Sequence, residues 1–113
     1  MTAQALTPGP PAGEPEKKER AIYLITYSLH RPYQYYRELV ECIIAISYSH
    51  RHFQPSAWLI DTDYSCESIR YGLYSRIDCD DSLFIAKMSP DWDAHGLPPD
   101  VTDWLKGLFS NAR

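Results

Sequence analysis

The residues with the most chemistry in them fall into three short stretches. His50-Arg51-His52 places two imidazoles two residues apart, the first half of a zinc or copper site if the segment is a strand. The chain offers no third ligand at a recognisable spacing. The pair therefore reads as the wet face of an edge strand, or as packing at a subunit seam, and no metal site is assigned. Asp78, Asp80 and Asp81 could ligate a cation, but they lack the twelve-residue loop ending in Glu that an EF-hand requires. Asp61 and Asp63 stand at a strand end before a helix, where carboxylates serve as caps. His30 and Arg31, just beyond the first strand, join His50, Arg51 and His52 as candidate contacts for a ligand or nucleic acid.

Arg31, Arg51, Arg70 and Arg76 are interleaved with Tyr33, Tyr35, Tyr48 and Tyr71, a mixture suited to nucleic acid or to a protein interface. The charge balance favours the protein interface. With 11 basic and 15 acidic residues the chain carries −4, the opposite of what salt-dependent phosphate binding needs. No G-x-S-x-G elbow occurs, and the five glycines form no phosphate loop, so no catalytic residue is assigned. Cys42, flanked by Val40, Ile43 and Ile44, reads as a buried small apolar residue.

These groups must be positioned by a regular framework. Residues 21–29, Ala-Ile-Tyr-Leu-Ile-Thr-Tyr-Ser-Leu, are apolar on both faces of a strand, which predicts a central strand covered twice. One cover is expected from this chain's helices and the other from a second copy. Pro32 opens a helix running to about Ser47, with Tyr36, Leu39, Val40 and Ile43 on one stripe. Residues 48–53 and 56–62 read as a hairpin broken at Gln54-Pro55, followed by a helix over 66–77. A strand over 82–88 comes next, then a helix with Asp100 as its N-cap and Val101, Trp104, Leu105 and Leu108 on its stripe. Residues 1–20, with four prolines and balanced charges, read as a disordered leader before a single domain over 21–113. The order β-α-β-β-α-β plus a C-terminal helix predicts an α+β, ferredoxin-like sandwich, with helices on one face of an antiparallel sheet and strands one and three central.

Cys42, Cys66 and Cys79 are odd in number and without C-x-x-C spacing, which argues against a disulfide framework and for a reducing, cytoplasmic setting. No apolar run approaches membrane-spanning length, so no membrane partner is expected.

Several stretches then converge on a family. They are Tyr23-Leu-Ile-Thr-Tyr27 ending at Ser28, Tyr35-Tyr36 with Leu39, the His-rich second strand, Ser56-Ala-Trp58-Leu-Ile-Asp-Thr62, the Asp78–Asp81 turn and Leu83-Phe-Ile85. Over residues 21–109 the chain resembles the SinR-like family of small bacterial and phage proteins. That family is similar in fold to the small nuclease-like subunit of the CRISPR spacer-acquisition complex. The resemblance implies a homodimer with a link to nucleic acid or phage defence. It also implies a metal-binding Asp at the end of strand one, where this chain has Ser28. A hydroxyl cannot supply a carboxylate's charge to Mg²⁺.

The expectation is thus a non-catalytic, cytoplasmic, homodimeric binding or adaptor protein without a cofactor, with Tyr23, Ile25, Tyr27 and Trp58 as candidates for the dimer seam. Two alternatives accompany it. One is a Mg²⁺-dependent nuclease with a displaced acid such as Asp61 or Asp78. The other is a small-polar-ligand protein using His50, Arg51 and His52 between protomers.

Overall fold

The computed structural model describes residues 19–31 and 36–112, the side chains of the last two excepted. Eight segments follow one another: β1 (Ala21–Ser28), α1 (Arg37–Ala45), β2 (Ser49–Gln54), β3 (Ala57–Thr62), α2 (Cys66–Leu73), a 3₁₀ turn (Tyr74–Arg76), β4 (Ser82–Lys87) and α3 (Pro99–Ala112). The strands form one antiparallel sheet in the order β2-β3-β1-β4, so strands one and three are central as the pattern predicts. Every residue of β3 is buried. Expected element ends shift by a residue or a few. The largest change is in α2, which gives way to a 3₁₀ turn after Leu73. The expected start of α1, at residues 32–35, and residues 1–18 of the expected leader lie outside the described residues.

Alternation along β1 divides the core. Tyr23 and Ile25, with Trp58 and Ile60 of β3, face Leu39, Cys42 and Ile43 of α1 and Ile69 and Leu73 of α2. The Cys42 thiol lies 3.6 Å from the Gly72 carbonyl, where the two helices touch, and burial pushes that thiol's pKa up. On the opposite face Ile22 and Leu59 pack against Val101 and Leu105 of α3, with Leu24, Phe53, Trp92 and Trp104 around them.

This corrects the expected one-sided arrangement of helices. The second cover of β1 is α3 of the same chain, because the Val101–Leu105 stripe supplies the apolar surface that Ile22 and Leu59 require. It also relocates the candidate seam residues. Tyr23, Ile25 and Trp58 are buried under α1 and α2, and half-buried Tyr27 accepts a hydrogen bond from the Trp58 indole at 3.0 Å. They are core, and no uncovered face carries them.

Three polar contacts fasten α3. Arg51 Nε donates to Asp100 Oδ2 at 2.9 Å, its guanidinium lies 4.9 Å from the Trp104 ring centre, and Trp104 Nε1 donates to Ser49 Oγ at 3.1 Å. Asp100 therefore lies inside the first turn of α3 as a partner for Arg51, and not at the N-cap. Gly96, in the loop before α3, has φ 85°, a conformation that side-chain-bearing residues avoid. Since apolar burial outweighs an exposed ion pair, Leu105→Ala should cost about 2–5 kcal/mol. Asp100→Asn should cost at most about 1 kcal/mol. Urea unfolding followed by circular dichroism measures both, and equal losses would contradict this ranking.

Candidate functional site

The antiparallel pairing of β1 with β4 builds a polar corner. Ser28 is the last residue of β1 and pairs with Ser82, the first of β4. The chain leaving β1 therefore meets the chain about to enter β4, which brings His30 and Arg31 against Asp78, Asp80 and Asp81. The last three residues belong to a tight turn. Asp81 N–H donates to the Asp78 carbonyl at 3.0 Å, and Asp78 N–H donates back to Asp81 Oδ2 at 2.8 Å.

Asp81 anchors the corner. Its side chain is fully buried, and Oδ1 accepts both the His30 backbone N–H at 2.8 Å and His30 Nδ1 at 2.7 Å. Burial alone would raise its pKa, but the bonds from His30 and from the Asp78 amide outweigh it and hold the carboxyl at about 2. The ionised Asp81 acceptor places a proton on His30 Nδ1, and Nε2 is the ring nitrogen turned away from Asp81. Arg31 Nε donates to that Nε2 at 3.3 Å, while Arg31 Nη2 bonds Asp78 Oδ2 at 3.2 Å. The carboxylates of Asp78 and Asp80 lie 3.9 and 4.0 Å from the same nitrogen.

Behind Asp81 stands Tyr36, at the entry to α1. It is 9 % exposed, and its hydroxyl makes no hydrogen bond of normal geometry with any described residue. Burial, then the neighbouring Asp81 charge, pushes its pKa up. One donor atom from each of His30, Asp78 and Asp81 falls within 4.8 Å of the others, the single group of this kind among the described residues.

The other candidates are dispersed. His52 stacks on Trp58 with ring centres 4.2 Å apart, and its Nε2 lies 3.3 Å from the Pro55 carbonyl. His50 is tilted against the same indole at 5.7 Å. Arg51 projects to the other face of the sheet, onto Asp100 and Trp104, so His50, Arg51 and His52 do not line one pocket. Asp61 does not cap α2. It is fully buried and receives the Arg20 guanidinium at two positions, 2.5 and 3.4 Å. Arg20 in turn lies 4.1 Å over the Tyr48 ring, and Tyr48 Oη donates to Asp63 at 2.6 Å. The cap of α2 is Ser65, whose side chain accepts from Ser68 N–H.

The expected Arg and Tyr surface is likewise divided among separate contacts. Arg70 lies over Tyr74, Arg76 bonds the Gly72 carbonyl at 2.7 Å, and Tyr33 and Tyr35 lie outside the described residues.

Sequence reasoning assigned no partner to Arg20, and none to Tyr36 beyond its helix. The acidic turn facing His30 was within its reach, because a ferredoxin-like order makes β1 and β4 neighbours. Neither a protein-family model nor a curated protein matches the chain.

The low value of Asp81 sets an acid dependence. Its pKa in the folded chain lies below the ordinary 3.8, so its ionisation favours folding above about pH 4, and that contribution is lost as pH falls toward about 2. Asp81→Asn should lower the melting temperature at pH 7 and flatten its fall between pH 4 and 2. Melts that run parallel for both proteins across that window would refute the assignment.

Proposed function

We propose that this chain is a ferredoxin-like, non-catalytic binding protein of the cytosol, whose contact surface is the corner formed by His30, Arg31, Asp78 and Asp80. The strand order β2-β3-β1-β4, with α1 and α2 packed on the same face, supports the ferredoxin-like reading. Three cysteines without a disulfide fit a reducing compartment. No described helix is long and apolar enough to cross a membrane.

The observation that carries the binding reading is the buried Asp81 carboxylate. Its Oδ1 holds His30 in one orientation, with Nε2 turned outward between two further carboxylates. Fixing a polar group in advance lowers the ordering cost of binding. The corner also lies just beyond Ser28, the position at which the resembling SinR-like family has its functional acid. A role in nucleic-acid or defence processes follows from that resemblance.

The homodimer implied by the same resemblance is proposed at the β4 edge. The centre of the sheet is covered on both faces by the chain's own helices, and β2, the other edge, carries an irregular register between His52 and Gln54. β4 is regular and exposes Phe84 at 61 %. Light scattering should give a dimer at micromolar concentration, and Phe84→Glu should convert it to monomer. A monomeric native chain would remove the dimer from this reading.

One observation favours a second reading, a divalent-metal nuclease with a displaced acid. Asp78, at 3.9 Å from His30 Nε2, stands where a metal could be shared, whereas Asp61 is committed to Arg20. Incubation with RNA and DNA under Mg²⁺ or Mn²⁺ separates the two. The binding reading expects intact substrate, and cleavage abolished both by chelator and by Asp78→Asn would replace it with the nuclease.

A further inference from the structure

We infer that the corner beyond β1 is a divalent-cation exchange site, at which the Arg31 guanidinium holds the place that a zinc-class ion takes when it binds. The inference deepens the binding reading by naming the ligand of that corner. It depends neither on dimerisation nor on cleavage.

Four observations carry it. Arg31 already places positive charge between His30 Nε2 and Asp78 Oδ2, at 3.3 and 3.2 Å. Two donors each about 2.0–2.2 Å from one zinc ion stand no more than about 4.3 Å apart. The 3.9 Å between His30 Nε2 and Asp78 Oδ2 satisfies that limit once Arg31 withdraws, and its half-exposed side chain is free to do so. Asp80, 71 % exposed and 4.0 Å from Nε2, supplies a third donor by turning its own side chain, with water completing the set. Asp81 is the positioning residue. It fixes the His30 ring through Nδ1, the arrangement by which a carboxylate behind a metal-binding histidine sets its tautomer.

The fourth observation is a buried neutral group beside the charged cluster. Tyr36 is nine-tenths buried, and its hydroxyl, directed at Asp81, makes no hydrogen bond of normal geometry with a described residue. Such a group calls for a missing water or ion beside it. A hydrated cation in the corner provides that partner. The donor set of one imidazole and two carboxylates suits Zn²⁺ or Mn²⁺ better than Ca²⁺, which prefers six to eight oxygens.

Exchange makes a prediction of definite sign. Removing the resident guanidinium should tighten metal binding. Zn²⁺ affinity of the full chain, measured in reducing buffer by competition with a chromophoric chelator, should show one site per chain. Asp78→Asn should weaken it more than about tenfold, since loss of even an outer partner of a metal ligand has that effect. Arg31→Gln should strengthen it about two- to fivefold, the scale of a partly exposed ion pair. Cys79→Ser and His52→Asn should leave it unchanged.

Asp80 is 71 % exposed, so Asp80→Asn keeps the test decisive if Asp78→Asn fails to fold; it too should weaken binding. The histidine ring resonances of His30 should shift on titration with Zn²⁺ while those of His50 and His52 stay in place. The proposal is overturned by the lack of a one-per-chain site, by binding that Asp80→Asn leaves untouched, or by Arg31→Gln weakening it. Zinc binding without nucleic-acid cleavage would retain this inference and reject only the nuclease.

Discussion

β1 is apolar on both faces and central in the sheet, so the chain must cover it twice. Every other element answers to that constraint. α1 and α2 cover Tyr23 and Ile25 from one side, and α3 covers Ile22 from the other. β3 and β4 pair with its two edges, so its backbone groups find partners without water. The apolar stripe of α3 carries most of its attachment, and Arg51 and Ser49 on the edge strand β2 add polar contacts through Asp100 and Trp104.

The same constraint dictates where polar groups are tolerated. Two carboxylates, Asp61 and Asp81, are driven to zero exposure at opposite ends of the sheet's centre, and each is met by several donors. Asp61 receives a guanidinium from the residue preceding β1, which ties the start of the domain to β3. Asp81 receives backbone and imidazole donors from the residues following β1, which ties its end to β4. Thr62, buried between them in sequence, satisfies its hydroxyl on the Ile46 carbonyl at 2.6 Å. The two ends of β1 are thus pinned by buried anions of different design. The Asp61 end closes on the Arg20 guanidinium, while the Asp81 end leaves an imidazole nitrogen facing outward.

That difference separates scaffold from candidate site. His50 and His52, chemically the more suggestive pair in the sequence, are absorbed in ring contacts with Trp58. His30 had no identifiable partner in the sequence, yet it stands among three carboxylates. Imidazoles two apart on a strand share a face, but a site needs convergence from several elements, and β2 as an edge strand has a neighbour on one side only. The end of β1 has chain on two sides.

The strands, the helices and the central position of β1 and β3 were legible in the sequence, because period-two and period-3.6 patterns are written by the side chains that must be buried. The double apolar face of β1 and the acidic turn before β4 were legible for the same reason. Alternation states which side chains share a face and is silent on what covers it. That α3 covers the second face, in place of another copy, was therefore decided by tertiary packing. So were the pairing of Arg20 with Asp61, 41 residues apart, and of His30 with Asp81, 51 residues apart. Local pattern cannot specify such pairs, because they are set by strand order and register. The chemistry of the His30 corner is a product of that register.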